Sequence, residues 1–305
     1  MEGVPNVRRV VHRAMSVPLL NASGCLDALT APEVATMLDA FVTKTVTPLP
    51  REGNPPPRIA EVDGWMLNSI GLQNPGLEVF ATSVLPRLRV VGVPLWVSVG
   101  GFSASDYRTC CERLDELDGV DVIELNLSCP NVEEAAETVV ELMRASRGAT
   151  SKQLYAKLSP ATPDIAELAR SIAHVGADGL SLVNTLRGLA LDRETLRPRL
   201  ALGPGGASGP ALRPIALACV HACATAVELP IVGIGGITLG RDVLEFVAAG
   251  ASAVALGTVL FRDPFAPVRI RVELEEEGRA RGYGSAGEIG RPVPGSAPTS
   301  RSYAG

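Results

Sequence analysis

The sequence predicts an α/β fold, a (β/α)8 barrel built as a single domain with long insertions after some of its strands. Short apolar runs rich in β-branched residues occur eight times, and several of the segments between them have helical periodicity. Strands that alternate with helices indicate a parallel sheet, and eight such units in about 250 residues are typical of the closed barrel. An open, doubly wound sheet is the alternative architecture.

The eight strand-like runs are each bounded by glycine, proline or polar residues. In chain order they are VPLLNAS (17–23), FVTKTVT (41–47), LWVSVGG (95–101), VIELNLS (122–128), LYAKLSP (154–160), GLSLVNT (179–185), IVGIGGI (231–237) and AVALGTV (253–259).

Five connecting segments place apolar residues three and four positions apart, which predicts amphipathic helices. They are APEVATMLDA (31–40), DYRTCCERLDEL (106–117), PDIAELARSIAHVG (163–176), PALRPIALACVHACATAVE (210–228) and GRDVLEFVAAG (240–250). The segment VEEAAETVVELMR (132–144) is also expected to run into a helix. Pro32, Pro163 and Pro214 suit first helical turns, whereas Gly176 and Gly250 suit helix C-terminal ends.

Composition excludes several classes of protein. The chain has 305 residues and a formal net charge of −5, with no block of lysine or arginine, which disfavours a nucleic-acid partner. No apolar stretch approaches the ~20 residues of a membrane helix, and the N-terminal segment is a poor signal peptide. Six cysteines without a framework spacing predict reduced thiols in a cytoplasmic protein. The barrel is expected over residues 1–282, followed by a disordered tail at 283–305 that is rich in Gly, Pro and Ser.

Polar residues and glycines stand at the C-terminal ends of most predicted strands, where barrels of this kind place their active sites. They are Ser23, Lys44, Thr45, Asn126, Lys157, Asn184, Thr185, Gly235, Gly236, Gly257 and Thr258. Two long insertions, 47–76 after the second strand and 186–214 after the sixth, are rich in proline and glycine. Long loops in a compact domain are usually functional, so we expect both to border a pocket.

The glycines of IVGIGGIT and ALGT end the seventh and eighth strands, where backbone N–H groups could bind a phosphate. The alternative is that they only ease tight turns. Neither motif has the Gly-Lys-Ser/Thr ending of a nucleotide P-loop, so ATP is not implied.

Lysines and cysteines are the other candidates for chemistry. Lys157 lies within an apolar run, where it would serve as a fixed cation inside the barrel or extend outward between helices; the same choice applies to Lys44. Cys129 follows its strand in a loop, where simple burial of the thiol is less expected. Cys219, His221 and Cys223 resemble a metal motif, but on a helix only the two cysteines share a face, which favours core packing. The adjacent Cys110 and Cys111 are expected to be structural.

Taken in order, these motifs resemble class 1 dihydroorotate dehydrogenases over roughly residues 18–267. The motifs are NASG, KTVTPLPREGNPPPR, MLNSIGLQNPG, NLSCPN, YAKLSP, LVNT, SGPALRP, GIGGI and ALGT. The stretch 44–76 looks most like class 1B, the catalytic subunit of the NAD-linked enzymes. Class 2 enzymes have a serine base and a membrane-associating N-terminal extension, and Cys129 and the start of this chain argue against that class.

The resemblance implies an FMN enzyme of pyrimidine biosynthesis that oxidises (S)-dihydroorotate to orotate. In that family a base removes a proton from C5 and a hydride leaves C6 for flavin N5. Cys129 matches the base, and Lys157 matches the lysine beside the pyrimidine edge of the flavin. Lys44 matches a residue that contacts both flavin and substrate. The class 1B resemblance also implies a partner subunit with FAD and an iron–sulfur cluster, in a homodimer or a heterotetramer.

The remaining site residues are also carried over from the resemblance. Residues expected to bind the substrate are Lys44, Asn68, Ser69, Ile70, Gly71, Leu72, Asn126, Asn131, Asn184 and Thr185. Residues expected to bind FMN are Ala22, Ser23, Lys44, Thr45, Ser98, Asn126, Lys157, Val183, Gly209, Gly235, Gly236, Gly257 and Thr258. No metal site is expected.

Two departures from the family pattern leave alternatives open. Ser98 stands where the family usually has an asparagine near the flavin, and residues 132–144 replace a glycine-rich segment after Asn131. The alternatives are a related FMN oxidoreductase with fumarate as acceptor (class 1A) or with another dihydropyrimidine substrate, and a flavin-binding barrel without catalysis.

Overall fold

A computed structural model describes residues 15–127 and 136–290. The eight predicted strands are Leu19–Asn21 (β1), Phe41–Val42 (β2), Leu95–Val99 (β5), Val122–Asn126 (β6), Gln153–Leu158 (β7), Gly179–Leu182 (β8), Ile231–Ile234 (β11) and Ala253–Leu256 (β12). They form one parallel sheet in the order β1-β12-β11-β8-β7-β6-β5-β2, which confirms the barrel. Each strand is shorter than the predicted run, and the residues that follow the apolar part of each run lie beyond the strand.

The Asn21 side chain closes the barrel between β1 and β2. Its Nδ2 donates to Val42 O at 2.7 Å, and its Oδ1 accepts from Val42 N at 2.8 Å. The backbone pairing between β1 and the chain before β2 consists of an isolated parallel bridge between Leu20 and Ala40 and a hydrogen bond from Asp39 N to Leu19 O at 2.9 Å. Because Asn21 is fully buried, its amide takes the place of a ladder hydrogen-bond pair in the barrel wall.

We expect Asn21→Leu to lower the free energy of unfolding by about 2–4 kcal/mol, since it leaves two buried Val42 backbone groups unpaired. Urea unfolding of the variant beside the wild type measures this. Asn21→Ala is the companion variant, because Ala removes side-chain volume as well as the amide. If both variants lose a similar free energy of unfolding, the loss comes from the hydrogen bonds and not from the volume. A Leu variant as stable as the wild type would show that the amide does not close the barrel.

Helices follow most of the barrel strands. They are Pro32–Ala35 (α1), Leu77–Val79 (α2), Leu85–Arg89 (α3), Ala104–Asp115 (α4), Ala136–Arg147 (α5), Ile165–His174 (α6), Arg213–Ala226 (α7), Gly240–Ala249 (α8), Val259–Arg262 (α9) and Ala266–Ala280 (α10). A π-helical turn, Phe80–Val84, joins α2 to α3, and a 3-10 turn, Pro210–Leu212, precedes α7. Pro32 and Pro214 lie in first turns, and Gly176 and Gly250 follow helix ends with positive φ, as predicted.

Two helix predictions need correction. The helix predicted over 31–40 forms only over α1, because Asp39 N donates to Leu19 O and the chain then runs beside β1. Pro163 lies before the first turn of α6, since Asp164 caps that helix by accepting from Glu167 N at 2.9 Å. Of the helix predicted over 132–144, the described part begins at Ala136.

The two insertions together build a second, antiparallel sheet in the order β3-β4-β10-β9. Its strands are Ile59–Val62 (β3), Trp65–Asn68 (β4), Leu186–Gly188 (β9) and Gly205–Ser208 (β10). We call it the cap sheet. Leu67 and Ala207 on one of its faces form a small apolar cluster with Leu200. The opposite face is therefore available to wall a pocket.

The main apolar core lies between the barrel and its helices, and a smaller cluster with Leu20, Val42 and Ile234 fills the barrel interior. Within the described ranges, no helix has the length and apolar character needed to span a membrane. At the C-terminal end, Ile289 is buried against the core, whereas residues 291–305 lie outside the described part. Disorder of the tail stays a prediction.

Candidate active site

A cavity of about 610 Å³ lies at the C-terminal ends of the barrel strands, and the cap sheet forms one of its walls. This volume is typical of a site for a cofactor or small substrate. The predicted site residues that line it are Ala22, Ser23, Lys44, Thr45, Asn68, Ser69, Ile70, Gly71, Leu72, Asn126, Lys157, Val183, Asn184, Thr185, Gly209, Gly235, Gly236, Gly257 and Thr258. The structure therefore brings almost the whole predicted set into one place.

A chain of polar side chains crosses the cavity from one barrel strand end to the next. Ser23 Oγ lies 3.2 Å from Thr45 Oγ1, which accepts from Asn126 Nδ2 at 3.4 Å. Asn126 Oδ1 in turn accepts from Asn184 Nδ2 at 2.9 Å, and Asn184 Oδ1 accepts from Thr185 N at 2.8 Å. These bonds fix which atoms of the two asparagines remain free to face a ligand.

Glycines build the part of the cavity that follows β11. Gly235 and Gly236 both have positive φ, at 134° and 71°. A Cβ on Gly236 would lie 2.8 Å from Pro210 O and 2.9 Å from Arg213 N. The backbone must therefore come close to the start of α7, and only glycine fits there. Such exposed backbone N–H groups form a cradle for an anion.

Asp242, buried at the start of α8, holds the loop that follows this glycine pair. Its Oδ2 accepts from Thr238 N at 2.8 Å and from Leu239 N at 3.0 Å, and its Oδ1 pairs with Arg213 Nη1. The short α9 begins directly after Gly257 and Thr258. Loops after the last two strands, together with a short extra helix, are the usual phosphate site of this fold.

Two lysines enter the cavity from neighbouring parts of the barrel wall. Burial lowers the pKa of Lys44, and the charge of Lys157 acts in the same direction. Lys157 lies on β7, with its ammonium 3.5 Å from Glu124 Oε1 on β6. Of the two positions that the sequence leaves open for these lysines, the structure shows the inner one for both, since both line the cavity.

Cys25 is a cavity-lining thiol beside Lys44 that was not among the predicted site residues. Burial raises the pKa of this thiol, although Lys157 and Lys44 oppose the shift. Its thiol is therefore harder to ionise than that of a free cysteine.

The loop Ser69–Leu72 reaches the cavity in a conformation held by three polar residues. Gly71 and Leu72 both have positive φ, at 76° and 56°. Arg51 Nε donates to Gly71 O at 3.2 Å, and Asn74 Nδ2 donates to Leu72 O at 2.7 Å. Asn54 Nδ2 donates to Ser69 Oγ at 2.8 Å. The loop therefore presents its backbone to the cavity in a fixed shape.

Three predicted residues are not placed at the cavity. Cys129 and Asn131 lie outside the described residues. Ser98 is fully buried behind the wall, where its Oγ lies 3.0 Å from Thr45 Oγ1. Its hydroxyl therefore contacts the cavity wall at Thr45 and does not line the cavity itself.

Sequence reasoning also missed cavity residues. They are Gly24, Cys25, Asn54, Ile59, Met66, Ser159, Arg187, Leu202, Pro204, Gly205, Gly206, Ser208, Leu212, Ile234 and Phe261. Many of them belong to the cap sheet, and the proline- and glycine-rich composition of the two insertions was the available signal. Cys219 and Cys223 pack in the core as predicted, with His221 exposed. Across residues 15–127 and 136–290, no three His, Cys, Asp or Glu side chains gather as metal ligands.

Comparison with known proteins shows the family of the chain. The family model for dihydroorotate dehydrogenase matches residues 7–277. The chain is 45% identical over 277 residues to the dihydroorotate dehydrogenase B (NAD(+)) catalytic subunit of Citrifermentans bemidjiense, covering 86% of this chain and 89% of that protein. The subunit of the same name in Listeria monocytogenes is 41% identical over 284 residues, covering 89% and 93%.

A solved structure extends the similarity to the fold. The dihydroorotate dehydrogenase of Eimeria tenella, crystallised with ferulenol, superposes with a TM-score of 0.74 at 25% identity, covering 94% of this chain and 90% of that one. With the family model matching most of the chain, the chain belongs to the dihydroorotate dehydrogenase family, and the predicted resemblance to class 1B is confirmed.

Proposed function

We propose that this protein oxidises dihydroorotate to orotate with bound FMN, in the cytoplasm, as the catalytic subunit of a class 1B enzyme. The observation that carries the proposal is the single cavity in which a glycine cradle, two lysines and two hydrogen-bonded asparagines meet. The family membership supplies the reaction, and the cavity supplies groups suited to each part of it.

The residues present fit FMN. The backbone at Gly235, Gly236, Gly257 and Thr258 is suited to a single phosphate, and the cavity has no Walker-type lysine motif for a triphosphate. Lys157 offers an ammonium from the cavity floor, suited to the pyrimidine edge of the ring, where negative charge gathers on reduction. When bound, FMN supplies the acceptor for the hydride that leaves C6 of dihydroorotate.

Asparagines are suited to recognise the substrate, because the dihydropyrimidine edge alternates C=O and N–H groups. Each asparagine offers one acceptor oxygen and two donor hydrogens. The hydrogen bond between Asn126 and Asn184 holds both in a defined orientation, and Asn68 lies opposite on the cap sheet, where it donates to Gly206 O at 3.3 Å. Lys44 provides a cation for the carboxylate, and the backbone at Gly71 and Leu72 provides further polar groups.

Cys129 is the proposed general base that takes the C5 proton. It follows Asn126 by three positions, so the chain that delivers a substrate amide to the cavity continues directly to this thiol. A free cysteine has a pKa of ~8.5, so only a few per cent would be thiolate at pH 7. Turnover is therefore expected to rise with pH through the neutral range.

We expect the purified protein to be yellow and to release FMN, not FAD, when denatured. The reason is the glycine cradle, which is suited to one phosphate group. Absorbance near ~450 nm and the mass of the released flavin measure this. A colourless protein that cannot be reconstituted with FMN, or one that releases FAD, would contradict the cofactor assignment.

The isolated chain should reduce artificial dyes with dihydroorotate but reduce NAD little. The relatives named above are NAD-linked subunits, and this chain has neither an FAD motif nor a four-cysteine cluster motif to pass electrons onward. We therefore propose a partner subunit with FAD and an iron–sulfur cluster, in a heterotetramer or beside a homodimer. Steady-state assays with each acceptor test this. Strong NAD reduction by the lone chain contradicts the partner, and rapid fumarate reduction indicates class 1A chemistry instead.

A further inference from the structure

Glu124 is a buried carboxylate directly beneath the cavity. It lies on β6 two positions before Asn126, so both side chains point to the barrel interior. Its side chain is only 3% exposed, and that of its partner Lys157 is 7% exposed. Within the described part of the chain, Lys157 forms its ion pair with Glu124 alone.

The strand register explains how the two charges meet. Asn126 is the pairing partner of Lys157 across β6 and β7, and Glu124 is the partner of Tyr155. Glu124 thus reaches diagonally to the ammonium from one layer below the cavity. Carboxylates this deeply buried are costly unless they are paired, and an apolar residue of similar volume would fill the same space without that cost.

The Lys157 ammonium can donate more hydrogen bonds than the one it gives to Glu124. It carries three N–H donors on a flexible four-carbon stem, and one of them is directed to Glu124 Oε1 at 3.5 Å. The carboxylate draws the ammonium to one side of the floor, while Lys157 still lines the cavity with its remaining donors. The Glu124 carboxylate also places a negative charge behind the Lys157 ammonium, which weakens the positive electrostatic field in the cavity.

We infer that Glu124 is a positioning residue that fixes Lys157 under the flavin and partly cancels its charge, so that the reduced flavin is stabilised less than it would be by the lysine alone. This inference rests on the proposed binding of FMN. It predicts that Glu124 lowers the reduction potential of the bound cofactor without holding the cofactor in place.

The test is the Glu124→Gln variant, which keeps the shape and an amide oxygen for Lys157 but removes the charge. The two-electron reduction potential of FMN bound to this variant should rise above that of the wild type. It is measured by anaerobic reductive titration in the presence of a reference dye of known potential. We expect the ratio of the dissociation constants of oxidised and reduced FMN to be about tenfold higher than in the wild type. This corresponds to a rise in potential of about 30 mV for a two-electron couple. The dissociation constant of oxidised FMN should change by less than about threefold.

Ser181 provides a control position on the strand that neighbours Lys157 on the other side. It is in register with Lys157 on β8, it is fully buried, and its hydroxyl has no partner among the described residues. Ser181→Ala should therefore leave the potential at the wild-type value. Lys157→Met should shift the potential in the opposite direction, because it removes the cation itself.

The outcomes separate the inference from the proposed function. If the wild type binds FMN and Glu124→Gln has an unchanged or lower potential, the inference is wrong while the proposed function stands. If the wild type does not bind FMN, the proposed function fails first. If Glu124→Gln does not fold, Glu124→Asp serves in its place: it keeps the charge but draws it away from the ammonium, and it should raise the potential by a smaller amount. An unchanged or lower potential in that variant overturns the inference equally.

Discussion

Cys129→Ala is expected to slow flavin reduction by dihydroorotate by ~10²–10⁴-fold, the usual contribution of a positioned general base. This corresponds to ~3–5 kcal/mol of activation barrier. Folding and FMN content should change little, and orotate should bind almost as tightly, because the asparagines rather than the thiol would hold the ring. Anaerobic stopped-flow bleaching of the flavin, beside an orotate titration, measures both quantities.

Two further variants sharpen this prediction. Cys129→Ser should be nearly as slow at neutral pH and recover partly as pH rises, since a hydroxyl is a far weaker acid than a thiol. Cys219→Ala, which removes a core thiol of α7 away from the cavity, should reduce its flavin at the wild-type rate. If Cys129→Ala also bleaches at the wild-type rate, the thiol has no part in proton removal, and Cys25 becomes the next candidate.

Gly236→Ala should weaken FMN binding by about 100-fold or more, equivalent to at least about 2.7 kcal/mol. The added Cβ would lie 2.8 Å from Pro210 O and 2.9 Å from Arg213 N, so the cradle backbone must move away from the start of α7. The positive φ of 71° adds strain of about 1–2 kcal/mol to any side chain there. Fluorescence titration of apoprotein with FMN measures the loss.

Gly282→Ala is the control that distinguishes backbone strain at a positive φ from steric contact of the added Cβ. Gly282 also has a positive φ, at 77°, but an added Cβ would meet nothing within 4 Å. The residue follows α10 and is not among those that line the cavity. Both alanine variants should lose stability from strain, whereas only Gly236→Ala should lose FMN affinity. Equal affinities for the two variants would remove Gly236 from the phosphate cradle.

The sequence was sufficient to predict the barrel, because each wall strand is a compact apolar run followed by a polar or glycine end. The cap sheet could not be predicted in the same way. Its strands are short and mixed in polarity, as in IAEV and GGAS, and they pair residues far apart in the chain, such as Asn68 with Gly206. The periodicity of a short segment does not predict which distant segment it pairs with.

The site also has parts that the sequence could predict and parts that it could not. Glycines and asparagines at strand ends could be assigned from their positions, because the fold brings all eight ends together. The roles of Asn21 and Glu124 depend on which strand lies beside which, and on the register between them. In the sequence alone, Glu124 is one residue of an apolar strand with no visible partner. Its closeness to Lys157 becomes visible when β6 and β7 are paired.

The most direct test of the proposed function is anaerobic mixing of the purified, FMN-loaded protein with dihydroorotate. The account predicts that the flavin absorbance bleaches and that about one orotate forms for each flavin reduced, with no added acceptor. A flavin that stays oxidised in the presence of excess dihydroorotate, with no orotate formed, would contradict it.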